Sequence, residues 1–186
     1  MNMKLFLASN SPRRREILTR YGYEFTVIKS DFEEVGDYAD PVTETENFAL
    51  GKAENVLAKL KNVPDAVVIG ADTVVYYGGK IIGKPKDAKE AEEYLKMLSG
   101  NTHTVVTGYA ILSAKKRVSG HDVSHVTFNV LSESLIKEYV ATGKPLDKAG
   151  AYGLQDGFDL TARYQGSYWN IVGLPIEKIE KELKEF

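Results

Sequence analysis

The chain has 186 residues, 43% of them hydrophobic and 27% charged, the makeup of one soluble α/β-sized unit with a single sizeable core or two small lobes. A net charge of −2 excludes the basic surplus of general duplex binders, and the absence of cysteine excludes disulfide and thiolate chemistry. No stretch holds the roughly 18 uninterrupted apolar residues of a membrane span, and no signal-peptide pattern is visible, so neither a stable nucleic acid nor a membrane partner is expected and the expected location is cytoplasmic.

In chain order, residues 4–8 read as a buried strand. Residues 12–21 read as a helix with Ser11 as N-cap and Pro12 at its first position. Residues 24–28 read as a second strand, followed by the acidic loop DFEEVGDYAD. Thr43 and Glu46 have the spacing of a capping box opening a helix to about Leu60. VVIGADTVVYY, residues 67–77, is a buried strand, and Gly78-Gly79 is a hairpin turn into KIIG. Asp87 caps a helix that runs to about Leu98. Residues 103–114 and 122–130 are paired strands joined across AKKRVSG. Ser132 caps a helix ended by Gly143. The stretch 143–157 is loop-rich, YWNIVG is a short strand, and Pro175 at the first helical position opens the last helix. The expected architecture is α/β: one domain over residues 1–186, an elongated mixed β-sheet flanked by helices, in two lobes with a central cleft.

Four features carry chemistry. Arg13, Arg14 and Arg15 stand at the start of a helix, where the free N–H groups already carry roughly half a positive charge. Cations there are unfavourable unless an anion sits among them, so this end of the chain reads as a phosphate site. Arg14 continues the apolar stripe of Ile17, Leu18 and Tyr21; Arg13 borders it; Arg15 faces elsewhere. Ser9 and Ser11 can add hydroxyl donors. Lys52 is flanked at four-residue spacing by Phe48 and Val56, which fits either a lysine that snorkels out beside the core or one turned to a site.

Asp72 interrupts the run Val67, Val68, Ile69, Val74, Val75. An unpaired buried carboxylate costs several kcal/mol, roughly, so it must be paired, metal-bound or placed at an opening. Thr73 faces the other side of the same strand. Lys84, before Pro85, gains meaning from the other cations: four of them around one carboxylate suit a polyphosphate and a metal. Glu33 and Glu34, in the acidic loop, are candidate oxygen ligands or simply solvated charges. The three histidines have no spacing that links them to one metal.

ASNSPRRREIL, ALGKAENV, IGADTVV, GKPKDAKEA, LSGNTHTVVTG, DKAGAYGLQ and GSYWNIVGLP resemble the Maf family of nucleoside triphosphate pyrophosphatases, in the family's order. The resemblance implies a Maf/ITPase-like fold, a homodimer, and hydrolysis of a nucleoside triphosphate to the monophosphate and pyrophosphate with a divalent cation, Mg²⁺ or Mn²⁺, clearing nucleotides from the pool. It implies Asp72 as proton acceptor and metal ligand, with Glu33, or alternatively Glu34, as the second acidic ligand. It implies Arg13, Arg14, Lys52 and Lys84 as substrate-binding residues, to which the hydroxyl of Ser9 is added from its place beside the arginines. Arginine at position 13, with Thr73 and Gln155, resembles the branch acting on dTTP and UTP. One departure is the pair Asp156-Gly157, where many relatives pass directly from glutamine to glycine; an acid beside the base-recognition position is expected to affect which pyrimidine is accepted. The rival readings are a non-catalytic nucleotide- or RNA-binding regulator of cell division, and a purine (ITP/XTP) pyrophosphatase.

Overall fold

Alternation along the strands explains the architecture. In the computed structural model, which describes residues 3–36 and 39–186, β1 (Lys4–Leu7) lies parallel to both β2 (Phe25–Val27) and β3 (Ala66–Tyr77). Leu5, Leu7, Val67, Ile69 and Ala71 point to one face, where α1 (Pro12–Arg20) and the last helix, α6 (Ile176–Leu183), cover them with Ile17, Leu18, Ile176 and Ile179. Phe6, Ala8, Ala66 and Val68 point to the other face, under α2 (Pro41–Lys59) and its Ala49, Ala53 and Val56. The twofold repeat of a strand sorts one apolar run into two cores.

The far half of β3 belongs elsewhere. Val75 enters a third core with β5 (Thr102–Ser113), β6 (Arg117–Phe128), α3 (Ala88–Leu98) and α4 (Glu133–Ala141). The short β4 (Lys80–Ile82) returns from β3 as a hairpin through Gly78 and Gly79, both at positive φ, where glycine has no steric penalty. Among the described residues the sheet order is β2-β1-β3-β5-β6-β7, with β4 beside β3, and β7 is Thr161–Gln165. Both expected lobes are present, and β3 is the beam that crosses them. Between Ala71 of the first core and Val75 of the third lies Thr73, and this gap opens as the cleft.

Several local expectations are corrected. YWNIVG does not form a strand: Tyr168–Val172 is a short helix, α5, whose N-cap Ser167 accepts the Asn170 N–H at 3.1 Å. A short apolar run has no periodicity that separates strand from helix, and the cap decides. β6 begins at Arg117 rather than 122, because the turn closes within 114–116 on the Ser113 hydroxyl, which accepts the Lys115 and Lys116 N–H groups. β7 was not expected; its TARYQ sequence is largely exposed and shows no buried face to read. The cap of α2 is Asp40, not Thr43. Its carboxylate accepts the N–H groups of Val42 and Thr43, while Glu46 turns to His121 Nδ1 at 2.6 Å. Pro175 sits one place outside α6, and Ser11 occupies the N-cap of α1 without a side-chain capping bond. Asp37 and Tyr38 of the acidic loop lie outside the described residues. Among the described residues no helix is long and apolar enough to cross a membrane.

Candidate active site

Two glycines bring α2 into contact with the sheet. A Cβ at Gly70 would stand 2.2 Å from the Ala49 carbonyl oxygen, and one at Gly108 would stand 2.3 Å from the Thr45 carbonyl. Gly108 is the register partner of Asp72 on β5. The helix therefore lies directly on the strand pair beside Asp72, which points to the α2 face by the same alternation as Val68. From α2, Lys52 reaches back and donates from Nζ to Asp72 Oδ1 at 2.7 Å. Both side chains are largely buried, at 14% and 12% exposure, so neither is a snorkelling surface charge.

The acidic loop is pinned to the same helix. A Cβ at Gly51 would meet the Phe32 ring at 2.3 Å, so the aromatic ring sits where that side chain would be, edge-on to Phe48. Two residues on, Glu34 Oε1 reaches Lys52 Nζ at 2.5 Å. Glu33 is exposed and does not line the cleft, whereas Glu34 does; the structure thus places Glu34 beside Asp72. Glu44, about two turns before Lys52 on α2, lines the same wall. Burial, and then the charges of Asp72 and Glu34, push its carboxyl above the usual range. Lys52 is the cation that compensates this acidic wall.

On the opposite parity, Thr73 turns towards α1. Arg14 donates from Nε to the Gly173 carbonyl at 2.7 Å, from one terminal nitrogen to Ser9 Oγ at 3.2 Å and from the other to Thr73 Oγ1 at 3.0 Å. Thr73 Oγ1 is in turn 2.9 Å from Thr107 Oγ1. Three bonds hold the guanidinium rigidly. Burial lowers its pKa to about 10, opposed by the Asp72 charge, and it remains protonated at neutral pH. Arg13 takes a different route: one terminal nitrogen donates to Asp147 Oδ2 at 2.7 Å and the other to the Asp147 carbonyl at 3.0 Å. Arg15 is exposed and reaches only the Asn10 carbonyl, at 3.3 Å. The three neighbouring arginines have three separate roles in the structure.

The cleft has two connected compartments. One, of about 270 Å³, has an apolar patch of Val75, Val105, Tyr152 and Ile171 beside Thr73 and Gln155, and a charged part that includes Asp72, Lys52 and Glu44. The other, of about 400 Å³, is bounded by residues 8–14 and by the ammonium groups of Lys29, Lys52 and Lys84. Arg13, Arg14, Glu34 and Lys52 line both. Lys84 is exposed at the end of the β4 hairpin and has no ion pair among the described residues, which leaves it available to a ligand. A cleft with an apolar patch at one side and cations lining both compartments has the form of a nucleotide site, with room for a base against the patch and for phosphates among the cations.

A divalent cation prefers oxygen ligands, and Asp72 and Glu34, both paired with Lys52 Nζ, bring two carboxylates to the same part of the cleft. Among the described residues no group of three or more histidine, cysteine, aspartate or glutamate side chains is assembled to hold a metal unaided. The donor set fits an ion held by one or two carboxylates and completed by phosphate oxygens and water, the habit of Mg²⁺.

All of the residues singled out from the sequence except Glu33 meet in this cleft: Ser9, Arg13, Arg14, Lys52, Asp72, Thr73, Lys84 and Gln155. Lys29, Glu44, Asp147 and Lys148 line it as well and carried no distinguishing signal. Lys29 and Glu44 read as ordinary surface charges, and Asp147 and Lys148 belong to a loop with no hydrophobic period to orient them. Asp156 does not line the cleft. Its Oδ2 accepts the Tyr139 hydroxyl at 2.6 Å and lies 3.3 Å from Lys148 Nζ, so its charge is engaged behind the Gln155 wall rather than presented to a base.

Comparison with known proteins finds relatives along nearly the whole chain. The family model described as Maf-like protein matches residues 4–186. A dTTP/UTP pyrophosphatase of Bacillus cytotoxicus is 45% identical over 185 residues, covering 98% of this chain and 95% of the relative. Proteins with the same name from Bacillus cereus and Bacillus anthracis match with the same identity and coverage.

Proposed function

Because this chain belongs to the Maf family, we propose that it is a nucleoside triphosphate pyrophosphatase that cleaves dTTP and UTP to the monophosphate and pyrophosphate. The observation that carries the reading is the juxtaposition of Asp72, bound to Lys52, with the rigid Arg14 on the next residue's side of the same strand. A hydrolytic carboxylate and a set of phosphate-binding cations share one strand and one opening.

In this reading the triphosphate lies among Arg13, Arg14, Lys29, Lys52 and Lys84, and the base lies against Val75, Val105, Tyr152 and Ile171. Arg14 is fully ordered before substrate arrives, so its charge opposes developing negative charge without reorganisation. Lys52 has three N–H donors; two meet Asp72 and Glu34, and the third is free for a phosphate oxygen. Asp72 orients a water and takes its proton as the oxygen attacks the α-phosphorus. The bond from that phosphorus to the bridging oxygen breaks, and pyrophosphate leaves towards Lys29 and Lys84. Asp72 and Glu34 would hold a divalent cation, which supplies charge neutralisation on the phosphates and a more acidic water. Gln155, whose carboxamide both donates and accepts, matches the edge of uracil or thymine. The homodimer and the cytoplasmic location belong to the same proposal, resting on the family resemblance.

The test is pyrophosphate release from a panel of dTTP, UTP, CTP, 7-methyl-GTP and ITP with Mg²⁺ or Mn²⁺. Preference for dTTP and UTP is the expected result. Preference for ITP points to a purine enzyme, and binding without release points to a non-catalytic regulator.

A further inference from the structure

Asp147 joins the two walls of the cleft, and neither of its oxygens is idle. Oδ2 and the main-chain carbonyl take the two terminal nitrogens of Arg13, on α1. Oδ1 takes Lys148 Nζ at 2.9 Å. That ammonium also donates to the Lys144 carbonyl at 2.6 Å and stands 3.3 Å from Asp156 Oδ2. Three donors meet three acceptors, so Lys148 has none left for a ligand. Its partner Asp156 is held by the Tyr139 hydroxyl, which in turn accepts the Gly153 N–H at 3.0 Å. The segment 144–156, which carries Gln155, is thereby fastened to α4.

Arg13 differs from Lys148 in what remains. A guanidinium has five N–H donors, and Asp147 uses two. Three are left, on a side chain that lines both compartments of the cleft. The carboxylate does not consume the arginine; it fixes its plane and leaves the rest of the fork for phosphate.

We propose that Asp147 is a positioning residue that clasps Arg13 across the cleft mouth, so that the arginine binds the nucleotide's phosphates from a pose set by the base-side wall. The proposal rests on the pyrophosphatase reading for its substrate. In the free protein the clasp also sets the spacing between the phosphate-binding cations and Gln155.

Asp147→Asn separates the two bonds. The amide oxygen still accepts from Lys148, while the amide nitrogen turned to Arg13 is a second donor and breaks the side-chain half of the clasp, leaving the bond to the main-chain carbonyl. The expected result is a KM for UTP raised about tenfold with kcat held within about threefold, the signature of lost uniform binding. Asp147→Glu, which keeps the charge, is expected to restore most of the affinity. The decisive readout is coupling: in an Arg13→Gln background, Asp147→Asn is expected to add less than about twofold, because residues that act through each other are non-additive. The same cycle is run on binding of inorganic tripolyphosphate by calorimetry, which needs no turnover. Equal effects of Asp147→Asn with and without Arg13, or an unchanged KM and tripolyphosphate affinity, overturn the clasp. Coupled binding in a wild-type protein that releases no pyrophosphate overturns the pyrophosphatase reading alone. A protein that releases pyrophosphate from UTP yet shows no coupling in either KM or tripolyphosphate binding overturns the clasp alone. If Asp147→Asn does not fold, the Asp147→Glu and Arg13→Gln pair completes the cycle. There, a cost of Asp147→Glu that persists undiminished without Arg13 counts against the clasp.

Discussion

Lys52 and Asp72 meet at 2.7 Å across the junction of α2 and β3, and the contact exists because no side chain stands at Gly70 or Gly108 to hold the helix away. A helix normally packs on a sheet through its side chains. Here backbone touches backbone, and a lysine stem of ordinary length spans the remaining gap to a carboxylate in the middle of the strand.

Gly70→Ala is the simplest probe of that arrangement. The new Cβ would collide with the Ala49 carbonyl, a backbone atom that cannot rotate aside. A destabilisation of about 1–3 kcal/mol is expected, as for other overpacked cores, with a matching loss of activity as Lys52 is displaced. Chemical denaturation and turnover measured on the same preparation check it. A variant of wild-type stability and activity would show that the close approach has no part in placing the lysine.

Arg14→Lys tests whether geometry or charge matters among the phosphate-binding cations. Three acceptors in different directions, Gly173 O, Ser9 Oγ and Thr73 Oγ1, fit a planar fork and do not fit an ammonium. We expect kcat/KM to fall by about 10²-fold despite the retained charge. Arg15→Ala, which removes only an exposed side chain, is expected to change stability by less than about 0.5 kcal/mol and to leave turnover intact. Steady-state kinetics on the two variants separates these outcomes.

His103 predicts a pH dependence of stability. It is buried in the third core, with Nε2 on the Tyr152 hydroxyl at 2.7 Å and Nδ1 without a partner among the described residues, and burial lowers its pKa from 6.5 to about 4. The unfolded chain thus binds a proton near pH 6.5 that the folded chain refuses until about pH 4. Stability falls as pH falls through that window, by up to about 3 kcal/mol at 1.36 kcal/mol per unit. The lowered carboxylates Asp31, Asp40 and Asp147 lose their contributions only below the usual aspartate value, and the raised Glu44 acts in the opposite sense. Urea melts between pH 7 and 4 on the wild type and on His103→Gln check this; the variant is expected to lose the slope.

The strand and helix order was legible wherever an apolar period persisted, as in β3 and α3, and so were the out-of-place charges Arg14, Lys52 and Asp72. Each stands where the local pattern calls for an apolar residue, and the conflict itself marks the site. The residues that escaped sequence reasoning have no such conflict. Glu34 is chosen over Glu33 by Phe32 packing on Gly51, a contact between distant segments. Asp147 and Lys148 acquire meaning only when the 144–156 segment folds back against α1. α5 and β7 were missed because five-residue elements, one half-buried and one exposed, carry too little pattern to be told apart. Asp156 shows the converse: a departure beside the base position is absorbed by Tyr139 and Lys148 and does not line the cleft.

In the proposed reaction Asp72 directs water to the α-phosphorus of a pyrimidine triphosphate held by the surrounding cations. Hydrolysis of UTP in heavy-oxygen water, by the wild type and by Asp72→Asn, tests it most directly. The label is expected in UMP and not in pyrophosphate for the wild type, with the rate falling by at least about 10²-fold in the variant while tripolyphosphate binding survives. Label in the pyrophosphate, or near-normal turnover of Asp72→Asn with saturating Mn²⁺, would contradict it.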